Sequence, residues 1–187
     1  MKKCIFLLSL VLSIVISSNI DKGYAIVNDS PRPFEETYIE IGYKTVEEAL
    51  SDFEKHFNQR LALPLRVPPI VFTHKFGRFN DLEGDLNDSF EVEVVNENSG
   101  KNHYMINVKH IEHKLKIPQK YRIDEYTLNN GNKAQFIKIS TNFNALVFER
   151  DCWQYILSVD SRVSKQVTPE VLIEIANSID YTTTSKN

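Results

Sequence analysis

YRIDEYTLNNGNKAQFIKISTNFNALVFERDCWQYILSV, residues 121–159, decides the fold. Tyr121 to Leu128 reads as a strand. It runs into Asn130-Gly131, the strongest local signal for a tight hairpin. Lys133 to Ser140 returns. Leu146 to Glu149 and Tyr155 to Val159 form a further pair, folded over at Arg150 to Trp153. The returning strand alternates imperfectly: Ala134, Phe136 and Lys138 share one side, Ile137 and Ile139 the other. That pattern suits apolar neighbours on both sides and leaves the core-facing side open.

Upstream, Phe90 to Val94 alternates cleanly, residues 96–101 (NENSGK) turn, and Tyr104 to Val108 returns. Ile70 to His74 reads as a short strand, and Phe34 to Tyr43 as an edge strand. Two helices frame the set. In the first, Val46 to about Asn58, Thr45 caps the start and Glu48 completes a capping box. Val46, Ala49, Leu50, Phe53 and Phe57 share one face of it. In the second, Thr168 caps, Pro169 occupies the first turn, and Val171, Leu172, Ile175, Ala176 and Ile179 face inward. Between the first helix and the strands, the three prolines of residues 61–69 (LALPLRVPP) forbid a helix. The order predicts an α+β domain: an antiparallel sheet of about six or seven strands with two helices packed on one face.

At the N-terminus, Lys2 and Lys3 precede the apolar run Cys4 to Ile16, and Gly23-Tyr24-Ala25 offers a small-residue cleavage site. The run is shorter than the roughly 20 residues that cross a bilayer. Residues 1–25 are therefore expected to be a secretory signal peptide, with an uncleaved anchor as the alternative. Residues 26–44 form a Pro-interrupted lead, 45–180 a single domain and 181–187 a polar tail. Residues 1–25 hold three of the 22 Lys and Arg and one of the 25 Asp and Glu, so the remaining chain carries a net charge of −5. An acidic chain has no general attraction to nucleic acid or anionic lipid, and neither is expected as a partner. Only Cys152 remains after processing, so no internal disulfide forms and a hydrophobic core must hold the domain. Cys152 reads as a small buried apolar residue.

The C-terminal half carries a resemblance. Asn130-Gly131-Asn132, Leu146-Val147-Phe148-Glu149-Arg150-Asp151, Trp153-Gln154-Tyr155-Ile156-Leu157, Thr168-Pro169-Glu170 and Ile175-Ala176-Asn177-Ser178-Ile179 together resemble an uncharacterised extracytoplasmic domain family of Bacillus-type bacteria. Some of its members look to be linked to membrane-anchored anti-sigma-like proteins. The resemblance spans roughly residues 65–180. Where that family commonly turns on a Gly, this chain has Asp151-Cys152-Trp153. The shared residues are structural, and no catalytic residue comes with them.

Candidate chemistry is sparse. His110-Ile111-Glu112-His113 is not the H-E-x-x-H of a metalloprotease, and supplies two local ligands where zinc needs three or four. His74 and His103 would have to be brought to it by the fold. Asp81, Glu83, Asp85 and Asn87 gather oxygen donors suited to calcium. The EF-hand register fails, because Gly84 falls at position four and Val92 at twelve. Lys75, Phe76, Arg78 and Phe79 place cations and aromatics around a Gly and form a candidate recognition loop within residues 75–88. The turn at 150–153 is a second recognition element.

These readings imply a secreted or cell-surface accessory protein without catalytic residues, cofactor or lasting membrane anchor. It would bind an extracytoplasmic protein. A carrier or sensor for a small apolar ligand is the alternative, with Tyr104, Tyr126, Phe136 and Phe148 as lining. A hydrolase of wall polymers would need convergent carboxylates or a metal.

Overall fold

The Asn130-Gly131 hairpin forms as its sequence requires. Gly131 takes φ 88°, which L side chains rarely adopt, and the loop closes through Leu128 N–H to Asn132 O at 2.8 Å. Around it a computed structural model describes residues 32–179, apart from 83, 85, 86 and 139. The expected signal peptide and polar tail lie outside the described residues.

Seven strands form one antiparallel sheet: β1 (His74–Asn80), β2 (Ser89–Val95), β3 (His103–His110), β4 (Arg122–Thr127), β5 (Lys133–Lys138), β6 (Phe143–Arg150) and β7 (Trp153–Asp160). Their spatial order is β1-β2-β3-β7-β6-β5-β4. Two meanders, β1 to β3 and β4 to β7, therefore meet where β3 pairs with β7. The helices are α1 (Phe34–Glu40), α2 (Val46–Phe57) and α3 (Pro169–Asn177). None of the described helices is long and apolar enough to cross a membrane. The α+β architecture with an antiparallel sheet is as the sequence predicts.

α2 starts at the expected capping box. Glu48 N–H donates to Thr45 Oγ1, and Thr45 N–H to the Glu48 carboxylate, both at 3.2 Å. It ends on Asn58, whose φ of 49° is the left-handed cap. α3 carries Pro169 in its first turn, but the Thr168 side chain makes no capping bond to the helix backbone. Both helices bury their apolar stripes on the same sheet face. Val46, Ala49 and Phe53 from α2, and Leu172, Ile175 and Ala176 from α3, join one core with Phe90, Val92, Tyr104, Leu146, Trp153, Tyr155 and Leu157.

The two-sided apolar pattern of β5 has a structural counterpart. Ala134 and Phe136 enter the main core. Ile137 faces the other way, into a small cluster with Ala145, Val147 and Ile156 that Ile117 covers.

Three expectations need correction. Phe34 to Tyr43 is not an edge strand: residues 34–40 are helical, and only Lys44 bridges to β1, at Gly77. Phe34 and Tyr38 stand four apart, so a helix sets both on one side, where Tyr38 stacks on Phe76 at 4.3 Å. Ile70 to Thr73 is irregular, continuing the proline connector, and β1 begins only at His74. Residues 75–80, expected in a polar loop, form most of β1, paired in full with β2. Gly77 lies inside that strand, not in a turn. It lets α2 approach the sheet, where a Cβ would stand 2.7 Å from Val46 Cα.

Candidate functional site

The sheet face opposite α2 and α3 is covered at its two ends by different segments. At the β1 end, Tyr38 of α1 and Tyr43 pack on Phe76. At the far end the connection from β3 to β4 crosses β7, β6 and β5. The buried amide of Gln154 holds it, accepting from Leu115 N–H at 2.8 Å and donating to Leu115 O at 3.0 Å. Arg122 donates to Ile117 O at 3.0 Å.

This crossing segment walls a cavity of about 820 Å³ above β5, β6 and the β6–β7 turn. Lys114, Lys116, Arg122, Lys133 and Arg150 line it, against the carboxylates of Glu149 and Asp151. Lys114 pairs with Glu149 at 2.7 Å, and Arg150 lies 3.6 Å from Asp151. The amides of Asn132 and Gln135 add neutral donors and acceptors, and Leu115, Ile117 and Val147 an apolar floor. Five cations against two carboxylates in the lining reverse the sign of an otherwise acidic chain, although Lys133 also pairs with Glu125 at 3.5 Å. Among the described residues, the lining holds no Ser, Thr, Cys, His or Tyr. Such a concavity can hold a carboxylate, sulfate or phosphate by charge and directed N–H donors.

The turn at 150–153, expected to contribute to recognition, stands at this cavity. Asp151 takes the left-handed φ of 53° that a Gly would otherwise supply. Cys152, expected to be buried, is half-buried against the core on the helix side of the sheet; its thiol donates to Gln59 Oε1 at 2.7 Å, and desolvation pushes its pKa up. A raised thiol is a poor nucleophile at neutral pH.

The other recognition residues lie elsewhere. Lys75 is exposed on β1. Phe76 is buried against Tyr38, and Phe79 packs edge-on to Phe53 at 5.5 Å. Arg78 donates to Glu91 at 2.7 Å and to Ile41 O at 3.2 Å, with its guanidinium 4.4 Å above the Tyr43 ring. These contacts fasten the α1 segment to the sheet. Of the four aromatics considered for an apolar ligand, Tyr104, Phe136 and Phe148 are buried in the core beneath the helices, and Tyr126 packs at its edge.

The histidines disperse. His74 pairs with Glu35 at 3.1 Å. His110 stacks on Phe57 at 5.7 Å, with the His113 ring 6.5 Å away. His103 bonds to Glu93, which holds the imidazolium pKa above its ordinary value of 6.5 despite burial, with Asp160 adding attraction. A histidine raised on folding stabilises fully below about 6.5, and that contribution is lost as pH rises through the folded value. Thermal unfolding profiles from about pH 6 to 9 should therefore fall more steeply for the native chain than for His103→Gln. Parallel profiles would show that His103 contributes nothing to the pH dependence.

Of the expected calcium ligands, Glu83 and Asp85 lie outside the described residues. Asp81 and Asn87 are exposed. Asp81 instead approaches His56 and Asp88, a grouping with no sequence motif because its members stand 25 and 7 residues apart. No family model, curated protein or solved structure matches this chain.

Proposed function

We propose that the protein is an exported binding domain that holds an acidic segment of an extracytoplasmic protein in the cationic cavity beside the β6–β7 turn. The observation that carries this reading is the local excess of five cations over two carboxylates around one concavity of about 820 Å³. The apolar floor suits the aliphatic stems of an extended peptide, and the lysines its carboxylates. The basic start, apolar run and small-residue site within residues 1–25 support export. The resemblance to extracytoplasmic domains of Bacillus-type bacteria supports the same location.

A labelled ten-residue glutamate peptide provides the test, read by fluorescence anisotropy over a range of salt. Binding should weaken with salt, because exposed charges are screened. Lys116→Glu combined with Lys133→Glu should lower affinity at least about 10-fold, since two attractions become repulsions. Lys75→Glu, on β1, should leave it unchanged. Equal binding by the native chain and the double variant would exclude the cavity as the binding surface. Intact mass of the protein collected outside its producing cells should begin near Ile26; a retained N-terminus would count against export with cleavage.

A further inference from the structure

α2 ends beside the turn that joins β1 to β2. His56 from the last turn of α2, Asp81 just after β1 and Asp88 just before β2 bring one ligand atom each to within 4.8 Å of one another. Asp88 is 1 % exposed. One of its oxygens, Oδ1, accepts from Leu82 N–H at 2.9 Å. The other, Oδ2, is fully buried and has no hydrogen-bond partner. It stands 3.0 Å from His56 Nε2, but that approach lacks hydrogen-bond geometry. A buried carboxylate oxygen left without a partner is costly, and a neighbouring cation removes the cost.

The imidazole is itself held in place. Its ring packs against Phe57 at 4.8 Å and Phe79 at 5.1 Å. Phe79 belongs to β1 and also touches Phe53 of α2, so helix and strand both fix the ring. Asp81 is exposed and can adjust its rotamer. Ligand atoms around a tetrahedral zinc at about 2.1 Å stand roughly 3.4 Å apart; the His56–Asp88 approach is 3.0 Å and all three ligand atoms lie within 4.8 Å of one another, so small rotamer shifts reach that spacing.

We propose that His56, Asp81 and Asp88 form a binding site for a divalent transition-metal ion, with Zn²⁺ the cation its donors fit best. One imidazole nitrogen favours zinc over calcium or magnesium, which take oxygen ligands in larger number. Two carboxylates neutralise the ion's charge. Three protein donors leave a fourth tetrahedral position for water or for a side chain of a bound protein. The ion would tie the end of α2 to the β1–β2 turn, on the opposite sheet face from the cationic cavity. The site stands independently of the peptide-binding reading.

The test uses the chain stripped with chelator and titrated with Zn²⁺ by calorimetry, with thermal unfolding alongside. One equivalent should bind and raise the melting temperature. His56→Gln and Asp88→Asn should each weaken binding by more than about 100-fold, the upper range for merely disturbing a ligand's outer contacts. His56→Gln should keep the fold, since Gln also favours a helix, as far-UV circular dichroism should show. Ca²⁺ titrated in place of Zn²⁺ should give no comparable saturation. Zn²⁺ binding unchanged in His56→Gln would overturn the site, as would the absence of saturable Zn²⁺ binding.

Discussion

Trp153→Ala is expected to cost about 3–5 kcal/mol of stability, the range for removing a buried aromatic side chain. For a chain of this size that corresponds to a fall in melting temperature of roughly 6–20 °C. Trp153 opens β7 and is 1 % exposed. Its ring lies 4.9 Å from Phe53, 5.3 Å from Phe57 and 5.4 Å from His110. Its indole N–H donates to Arg60 O at 3.0 Å, the point where the proline connector leaves α2. One side chain thus joins the helix, the sheet and the connector. Trp153→Phe should cost less, keeping part of the packing but leaving the Arg60 carbonyl without its donor. Urea unfolding followed by circular dichroism measures both, since the chain has one Trp and the variants lose its fluorescence. A loss below about 1 kcal/mol in the alanine variant would contradict this account of the core.

Gly77→Ala should be the second large effect, although it adds only a methyl group. The new Cβ would stand 2.7 Å from Val46 Cα and 3.0 Å from both Ala49 Cβ and Thr45 O. Two of those three atoms are backbone, so no side chain can swing aside and α2 must lift from β1. Overpacking of this kind costs about 1–3 kcal/mol, and a rigid neighbour puts it at the upper end. Gly100→Ala is the matched control. Nothing lies within 4 Å of a Cβ there, and a change within about 0.5 kcal/mol is expected. Equal effects at the two positions would show that α2 does not rest on Gly77.

The contrast between these glycines also shows why the sequence was legible in one place and opaque in another. The Thr45–Glu48 capping box, the Asn130-Gly131 turn and the alternating strands are local patterns, written by residues a few positions apart, and each forms near its expected position. Gly77 depends on a helix some 30 residues earlier. Without that partner, a Gly between Phe76 and Phe79 reads as a turn. The α1 helix was obscured for a similar reason: Phe34 and Tyr38 reach Phe76 across the fold, and seven residues give little periodicity. Sites follow the same logic. Whole-chain charge predicts nothing about the local sign at Lys114, Lys116, Arg122 and Lys133, which three separate elements bring together. His56, Asp81 and Asp88 converge only because α2 lies across β1. Around Gly77, Phe76 and Arg78 fasten the α1 segment to the sheet, contacts that close neighbours in sequence do not announce.

The junction of the two meanders sets a condition on how the chain reaches its native state. Pairs across it, from His110↔Trp153 to Tyr104↔Val159, join residues 43 to 55 positions apart, whereas every other strand pairing closes a hairpin. Each meander can zip from its own turns, but the seam must wait for the last strand. Until β7 arrives, β3 presents a bare edge, and so does β6. A chain delivered from its N-terminus therefore carries two sticky borders until residue 160 emerges. The pace at which that final strand is supplied governs its exposure to aggregation.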